Sequence, residues 1–284
     1  MKAVLVGPRK LLGWIAPFLP LLVLAWPAWR ALTWMNRRFF EQESYYSHGW
    51  LIPAAIAWLI YLRRSRIAAV GRQASFFGAF AYGLGVSIAA SGIVIDIRFL
   101  VAWGLVLAGI GWYWSWAGAA RARIALPPLL LLLGMIPLPG VWLLALTAHL
   151  KSLAAAGGVV VAGLLGVQAV LDGSTVIVAG APPGPSLVIG DPCSGLRSLL
   201  VFASLGLFFA LQEESGPLRK VLLAGLALSM APLSNLLRVV FLIVVRRVIG
   251  PVALEGPIHL LAGAGAFGFC FFLYLLAVGR WFRR

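Results

Sequence analysis

The feature that most constrains this chain is the length of its apolar runs. Residues 221–245 read VLLAGLALSMAPLSNLLRVVFLIVV, with Arg238 as their one charge. A helix of about 20 apolar residues crosses the hydrocarbon core of a bilayer. Similar runs recur along the sequence, and none shows the strict alternation of a membrane-barrel strand. A helix bundle satisfies its backbone polar groups within each span, so it is the expected solution. Composition points the same way. Of 284 residues, 62% are hydrophobic and 11% charged, against about 25% charged in ordinary soluble domains. So few charges cannot clothe a water-facing surface. The expected fold class is all-α: a polytopic transmembrane helix bundle in a single integral membrane domain, residues 1–284.

Eight spans are expected, near 11–33, 48–62, 75–95, 99–118, 124–147, 194–211, 218–244 and 257–279. The first has the basic start of a signal peptide but lacks a small-residue cleavage site, so it reads as a retained span. The second is short. The fifth carries Pro127, Pro128, Pro137 and Pro139 and is expected to kink or break. Residues 148–170 are apolar but contain His149, Lys151, Ser152, Gly157 and Gly158, which suits an interfacial helix. Beyond it, STVIV and SLVI are β-branched runs bracketed by Gly and Pro, the pattern of a short hairpin. Residues 148–192 are therefore expected to form a small extracytoplasmic cap, followed by a three-span block over 193–284.

An even number of spans puts both termini on one side. With the termini in the cytoplasm, fourteen Lys and Arg residues fall inside. Seven fall outside: Arg30, Arg37, Arg38, Arg98, Lys151, Arg246 and Arg247. The excess of cations on the cytoplasmic side supports this orientation. The net charge is +15, which on a soluble chain would point to nucleic acid. Here the cations lie in short loops facing membrane lipids, and no nucleic-acid partner is expected. Two cysteines exclude a disulfide framework. The histidines are scattered and no Cys-x-x-Cys occurs, so neither a metal nor any other cofactor is expected. GLGVS and GAGAFG lie inside apolar runs and are not nucleotide loops.

This topology brings three reactive residue types to one level. Cys193 opens the sixth span, Arg238 lies in the outward half of the seventh, and His259 opens the eighth. Asp191 and Pro192 are expected to cap and start a helix, putting Cys193 in its first turn, where the dipole favours a thiolate. Arg197, four residues on, shares that face, and Ser194 adjoins the thiol. A charge within a span costs roughly 2.5–3.5 kcal/mol on insertion scales, so Arg238 is rarely idle. Asn235, one turn earlier, shares its face. His259 follows Gly256-Pro257 in a first turn and can move a proton. Blander readings stand beside each of these. Cys193 can be a small interfacial residue, Arg238 can snorkel to head groups, and His259 can merely cap. His48, in YYSHGW, can touch substrate or belong to an interfacial aromatic belt. Cys270, in GFCFFLYLL, reads as a packing residue.

PCSGLRSLL, SNLLRVVFL and HLLAGAGAF, in this order, resemble the signature blocks of the exosortase/archaeosortase family. YSHGWLIP at 46–53 resembles that family's N-terminal block, and LDGSTVIV…LVIGDPCSG its outer strand region. Asp191-Pro192 departs from the small or Glu/Ala residues expected before the cysteine. The family comprises multispanning membrane enzymes proposed to be cysteine transpeptidases. Their substrates are secreted proteins bearing a C-terminal sorting signal: a short motif such as Pro-Glu-Pro, a hydrophobic span and a basic end. The resemblance implies Cys193 as nucleophile, Arg238 as the essential arginine and His259 as the acid/base. Arg197, Asn235, His48 and Ser194 become supporting candidates. It also implies an amine acceptor of unknown identity. The rival readings are a lipid or polysaccharide flippase, which expects polar residues at several depths, a membrane scaffold, and an acyltransferase using the same thioester logic.

Overall fold

The computed structural model describes residues 16–41, 44–190, 194–214, 216–251 and 256–282. A 3-10 stretch, Ala16–Leu24, leads into helix α1, Ala25–Phe40. A 3-10 turn, Ser47–Trp50, precedes α2, Leu51–Leu62, and the short α3, Arg64–Ala69. Then come α4, Phe76–Val94; α5, Arg98–Ala117; α6, Ala119–Leu129; and the short α7, Leu132–Met135. The remaining helices are α8, Gly140–Leu164; α9, Leu196–Gln212; α10, Pro217–Ile249; and α11, Gly256–Phe282. Three strands lie between α8 and α9: β1, Ala169–Asp172; β2, Thr175–Val178; and β3, Leu187–Val188.

Among the described residues, six helices are long and apolar enough to cross a membrane, and two shorter apolar helices cover 47–62 and 196–212. The all-α polytopic architecture expected from the sequence is what the chain adopts. One boundary differs. The fifth span was expected at 124–147, followed by an interfacial helix at 148–170. Instead the chain breaks after Met135, across Ile136–Pro139, and a continuous helix runs from Gly140 to Leu164. The prolines explain the shift. Pro137 and Pro139 each lack a donor and bias the preceding residue away from helix, so the long helix starts only beyond them. His149 and Lys151 then sit inside a helix long enough to span.

The chain divides into two compact units, one holding Ser47–Pro137 and the chain up to Glu41, the other Gln42–Tyr46 and Leu138–Arg284. The first unit is built on the α4–α5 hairpin. A Cβ added at Gly78, Gly85 or Gly111 would run into the backbone of Ser115, Ala108 or Tyr82 on the facing helix, and one at Gly104 into Ala89. These pairs define an antiparallel register in which two backbones touch. In lipid, apolar transfer does not drive helices together. Close approach at small residues lets dispersion forces and weak backbone contacts do so. The glycines recur every seven residues, at 78, 85 and 92 on one helix and at 104 and 111 on the other. A seven-residue repeat keeps one seam facing its partner along both helices.

In the second unit, α10 packs against α8, α9 and α11. Phe202, Leu223, Ala227, Ala231, Cys270 and Tyr274 are fully or almost fully buried between α9, α10 and α11. The Phe202 ring meets Phe267 at 5.0 Å between centroids. Cys270 is 0% exposed, which is the packing role read from its apolar run. On the α8 side, Gly158 lets Val239 of α10 approach so closely that a Cβ there would come within 2.5 Å of its Cγ1.

The strands form one antiparallel sheet in the order β1-β2-β3. A two-residue turn, Gly173-Ser174, joins β1 to β2, with Gly173 at φ +60°. Alternation decides which side is buried. Val176, Leu187 and Ile189 are 2% exposed or less, while Val170, Ile177 and Val188 face outward. The inward set packs on Ala154, Ala155 and Ala162 of α8, Val239, Leu242 and Ile243 of α10, and Ala262 of α11. The hairpin read from STVIV and SLVI is the β2–β3 pair. The AVLD strand was not anticipated. The sheet therefore sits on the three helices that carry or flank Arg238 and His259.

Candidate active site

One face of α10 organises the site. Asn235 and Arg238 are one turn apart, so their side chains emerge on the same side. The Arg238 guanidinium reaches α11, where its Nη2 lies 2.8 Å from His259 Nε2. A guanidinium has donors and no acceptor. The arginine therefore donates, Nε2 accepts, and the ring proton resides on Nδ1. His259 occupies the first turn of α11, as Gly256-Pro257 forecast. One turn further, Gly263 leaves the space that the guanidinium fills. A Cβ there would lie 3.2 Å from Arg238 Cζ and 3.3 Å from its Nε. The pair is half-buried, so its charge is neither fully solvated nor sealed off.

Asn235 faces the other way along this strip, toward the start of α9. It is 6% exposed and packs on Gly195, where a Cβ would come within 2.8 Å of Asn235 Cγ. Gly195 has φ +78° and ψ 0° and is the N-cap residue of α9. Ser194 is 1% exposed, and the Leu196 amide donates to its Oγ at 3.3 Å. Ser194 thus supplies a hydroxyl to the turn that launches the helix. The cap expected at Asp191-Pro192 is not the cap of this helix. α9 begins at Leu196, behind Gly195, because a glycine in the left-handed region turns the chain at no steric cost. The dipole argument built on a helix starting at Pro192 is replaced by a tight turn immediately following the cysteine. Asp191, Pro192 and Cys193 lie outside the described residues.

The structure brings Ser194, Asn235, Arg238 and His259 into one strip across α9, α10 and α11. Arg197, in the first turn of α9, has an exposed side chain. His48 belongs to the first unit, half-buried in the turn Ser47–Trp50, which packs on α7.

Arg246 is a residue that sequence reasoning missed. It was counted as an outer topogenic charge, yet it is only 5% exposed. Its guanidinium donates three hydrogen bonds to the loop between β2 and β3: Nη1 to Pro182 O at 2.9 Å, Nη2 to Gly184 O at 3.2 Å and Nε to Pro185 O at 3.2 Å. A rigid fork of donors suits three carbonyls of a proline-rich loop that lacks amide partners of its own. The clamp ties the sheet, and through β3 the segment approaching Cys193, to the helix that carries Arg238. Its signal in the sequence is faint, because the partners are backbone atoms some sixty residues away. Among the described residues, no group of three or more His, Cys, Asp or Glu is placed to hold a metal ion.

Comparisons with known proteins returned no match among curated proteins and none among solved structures. A family model does match, that of the transmembrane exosortases, over residues 34–276. The matched region contains the Arg238–His259 pair, the Ser194-Gly195 turn and the strands before it, and the chain belongs to the transmembrane exosortase family.

Proposed function

We propose that the protein is a membrane cysteine transpeptidase. It cleaves the C-terminal sorting tail of secreted proteins at the outer face of a bacterial inner membrane and passes them to an amine acceptor. Both termini are then cytoplasmic. The observation that carries the reading is the 2.8 Å contact between Arg238 and His259, on a strip that continues through Asn235 to Gly195. Cys193 is two residues from Gly195, so at most about 7 Å separates their Cα atoms. In this reading the thiol works with the arginine and histidine of that strip.

The chemistry follows from the donor and acceptor inventory. In the resting site, the lone pair of His259 Nε2 is engaged by Arg238. A substrate carbonyl or carboxylate recruits the guanidinium and frees that lone pair. Nε2 then takes the thiol proton of Cys193. The thiolate attacks the scissile carbonyl carbon, and Arg238 donates to the oxygen as negative charge develops on it. The imidazolium returns the proton to the leaving amine as the C–N bond breaks, leaving a thioester on Cys193. An acceptor amine closes the cycle with a new amide, and water in its place gives the free acid. Ser194 and Asn235 hold the nucleophile's turn against α10 as positioning residues.

The test is processing in cells of a secreted reporter carrying a Pro-Glu-Pro motif, an apolar span and a basic end. Cys193→Ala and Arg238→Lys should each abolish shortening while the protein still inserts and purifies as a monodisperse species. If Cys193→Ala still shortens the reporter, the assignment fails. A flippase would instead retain activity in Cys193→Ser.

A further inference from the structure

Away from this site, the first unit contains a cationic cavity that no part of the chemistry above uses. It lies where the C-terminal half of α1 meets the turn between α4 and α5, has a volume of about 180 Å³, and is lined by Arg30, Thr33, Arg37, Asp96 and Arg98 among others. Three guanidiniums and one carboxylate leave two positive charges. The one ion pair among the described residues of its lining, Arg30 to Asp96 at 3.4 Å, joins side chains 42% and 67% exposed, and so contributes little. Among the described residues, Arg37 and Arg98 have no side-chain hydrogen bond or ion pair. Arg38, next in sequence, is already occupied by Glu41 at 3.0 Å.

Three arginines converging on one cavity repel each other unless an anion joins them. Topology supplies no reason for their presence. In the orientation expected from the charge count they lie on the outer side, where cations are disfavoured. The surroundings indicate where the anion comes from. The cavity sits at the end of spanning helices whose outward side chains are apolar, with Trp26 and Trp29 of α1 64% and 66% exposed and Val94 84% exposed. Guanidinium forks match phosphate oxygens in geometry and charge.

We propose that this cavity is a phosphate site, filled by the phosphate of a membrane lipid head group that ties the end of α1 to the α4–α5 turn. The inference is independent of the catalytic reading.

Native mass spectrometry of the purified protein tests it, with phosphatidylglycerol as the first probe and inorganic phosphate as the second. The parent should hold phosphatidylglycerol through detergent exchange, and Arg37→Gln/Arg98→Gln should weaken that binding at least about tenfold. Arg280→Gln, which lies in the other unit, should bind as the parent does. If the double variant does not purify as a monodisperse species, Arg98→Gln alone gives the same readout with a smaller loss. Arg37→Lys/Arg98→Lys should recover part of the affinity. Retention of the lipid that millimolar inorganic phosphate does not displace supports the site and assigns it to lipid. Displacement by inorganic phosphate, lost in the double variant, supports the site and assigns it to soluble phosphate. Equal binding of both probes by parent and double variant overturns the proposal.

Discussion

Replacing Gly195 by alanine perturbs the junction between the cysteine segment and α10 with a single carbon. Two costs add. Gly195 has φ +78°, and an L-residue in the left-handed region costs roughly 1–2 kcal/mol. The new Cβ would lie 2.8 Å from Asn235 Cγ and 2.9 Å from its Cβ and Nδ2, inside the 3.4–4 Å of ordinary contact. Asn235 is 6% exposed and cannot swing away, so the turn or the helix must move by about half an ångström. Overpacking of this kind costs typically 1–3 kcal/mol. The expected sum is about 2–5 kcal/mol, a fall in melting temperature of roughly 4–20 °C for a unit of this size. The assay is thermal unfolding of the detergent-purified protein beside Gly225→Ala. At Gly225 a Cβ meets nothing within 4 Å, and removing a helix-interior glycine there should stabilise by roughly 0.5–1 kcal/mol. Tail processing should fall in Gly195→Ala, because the Ser194-Gly195 turn it displaces directly follows Cys193 in the chain. A melting temperature within about 1 °C of the parent, with full processing, would refute the reasoning.

Three further predictions follow from other contacts. Arg246→Met removes three charge-assisted hydrogen bonds and should destabilise the second unit by at least about 3 kcal/mol. The sign to look for is faster protease cleavage between Ala181 and Leu187, with Arg246→Lys recovering only part of the protection. Gly263→Ala places a Cβ 3.2 Å from Arg238 Cζ. It should cut processing several-fold by shifting the guanidinium a few tenths of an ångström, with little change in melting temperature, whereas Gly265→Ala, which meets nothing within 4 Å, should be silent. Gly111→Ala drives a carbon into the backbone of Tyr82 and should cost roughly 1–3 kcal/mol, seen as lower yield of monodisperse protein.

Much of this fold was legible because hydropathy and helix length are coupled in a bilayer. The apolar run at 221–245 is α10, and its lone charge proved to face α11. The β-branched runs became β2 and β3 because their alternation matches a sheet with one buried side. The reading failed where proline competes with hydropathy. At 124–147 the residues are apolar enough to span, but Pro137 and Pro139 move the start of the helix to Gly140. It also passed over a signal that was present: glycines every seven residues in α4 and α5 mark a close-packed pair. Within the site, the spacing Asn235–Arg238 and the place of His259 behind Gly256-Pro257 carried over directly, since helical geometry fixes them. The start of α9 did not. Asp191-Pro192 has the form of a cap, and only the positive φ of Gly195 and the Ser194 hydroxyl reveal that the turn lies later. Arg246 was hidden for a different reason, since backbone carbonyls leave no mark in a residue pattern.

The most direct test of the account is whether an acyl group passes through Cys193. Purified protein would be mixed with a tailed substrate, quenched in acid within its first turnovers, digested, and the peptide containing Cys193 analysed by mass spectrometry. The account predicts that peptide carrying the N-terminal substrate fragment as a thioester. The adduct should be released by hydroxylamine as the hydroxamate, be absent from Cys193→Ala and fail to accumulate in Arg238→Lys. Tail cleavage at the parental rate with Cys193 unmodified, or with the adduct on another residue, would contradict it.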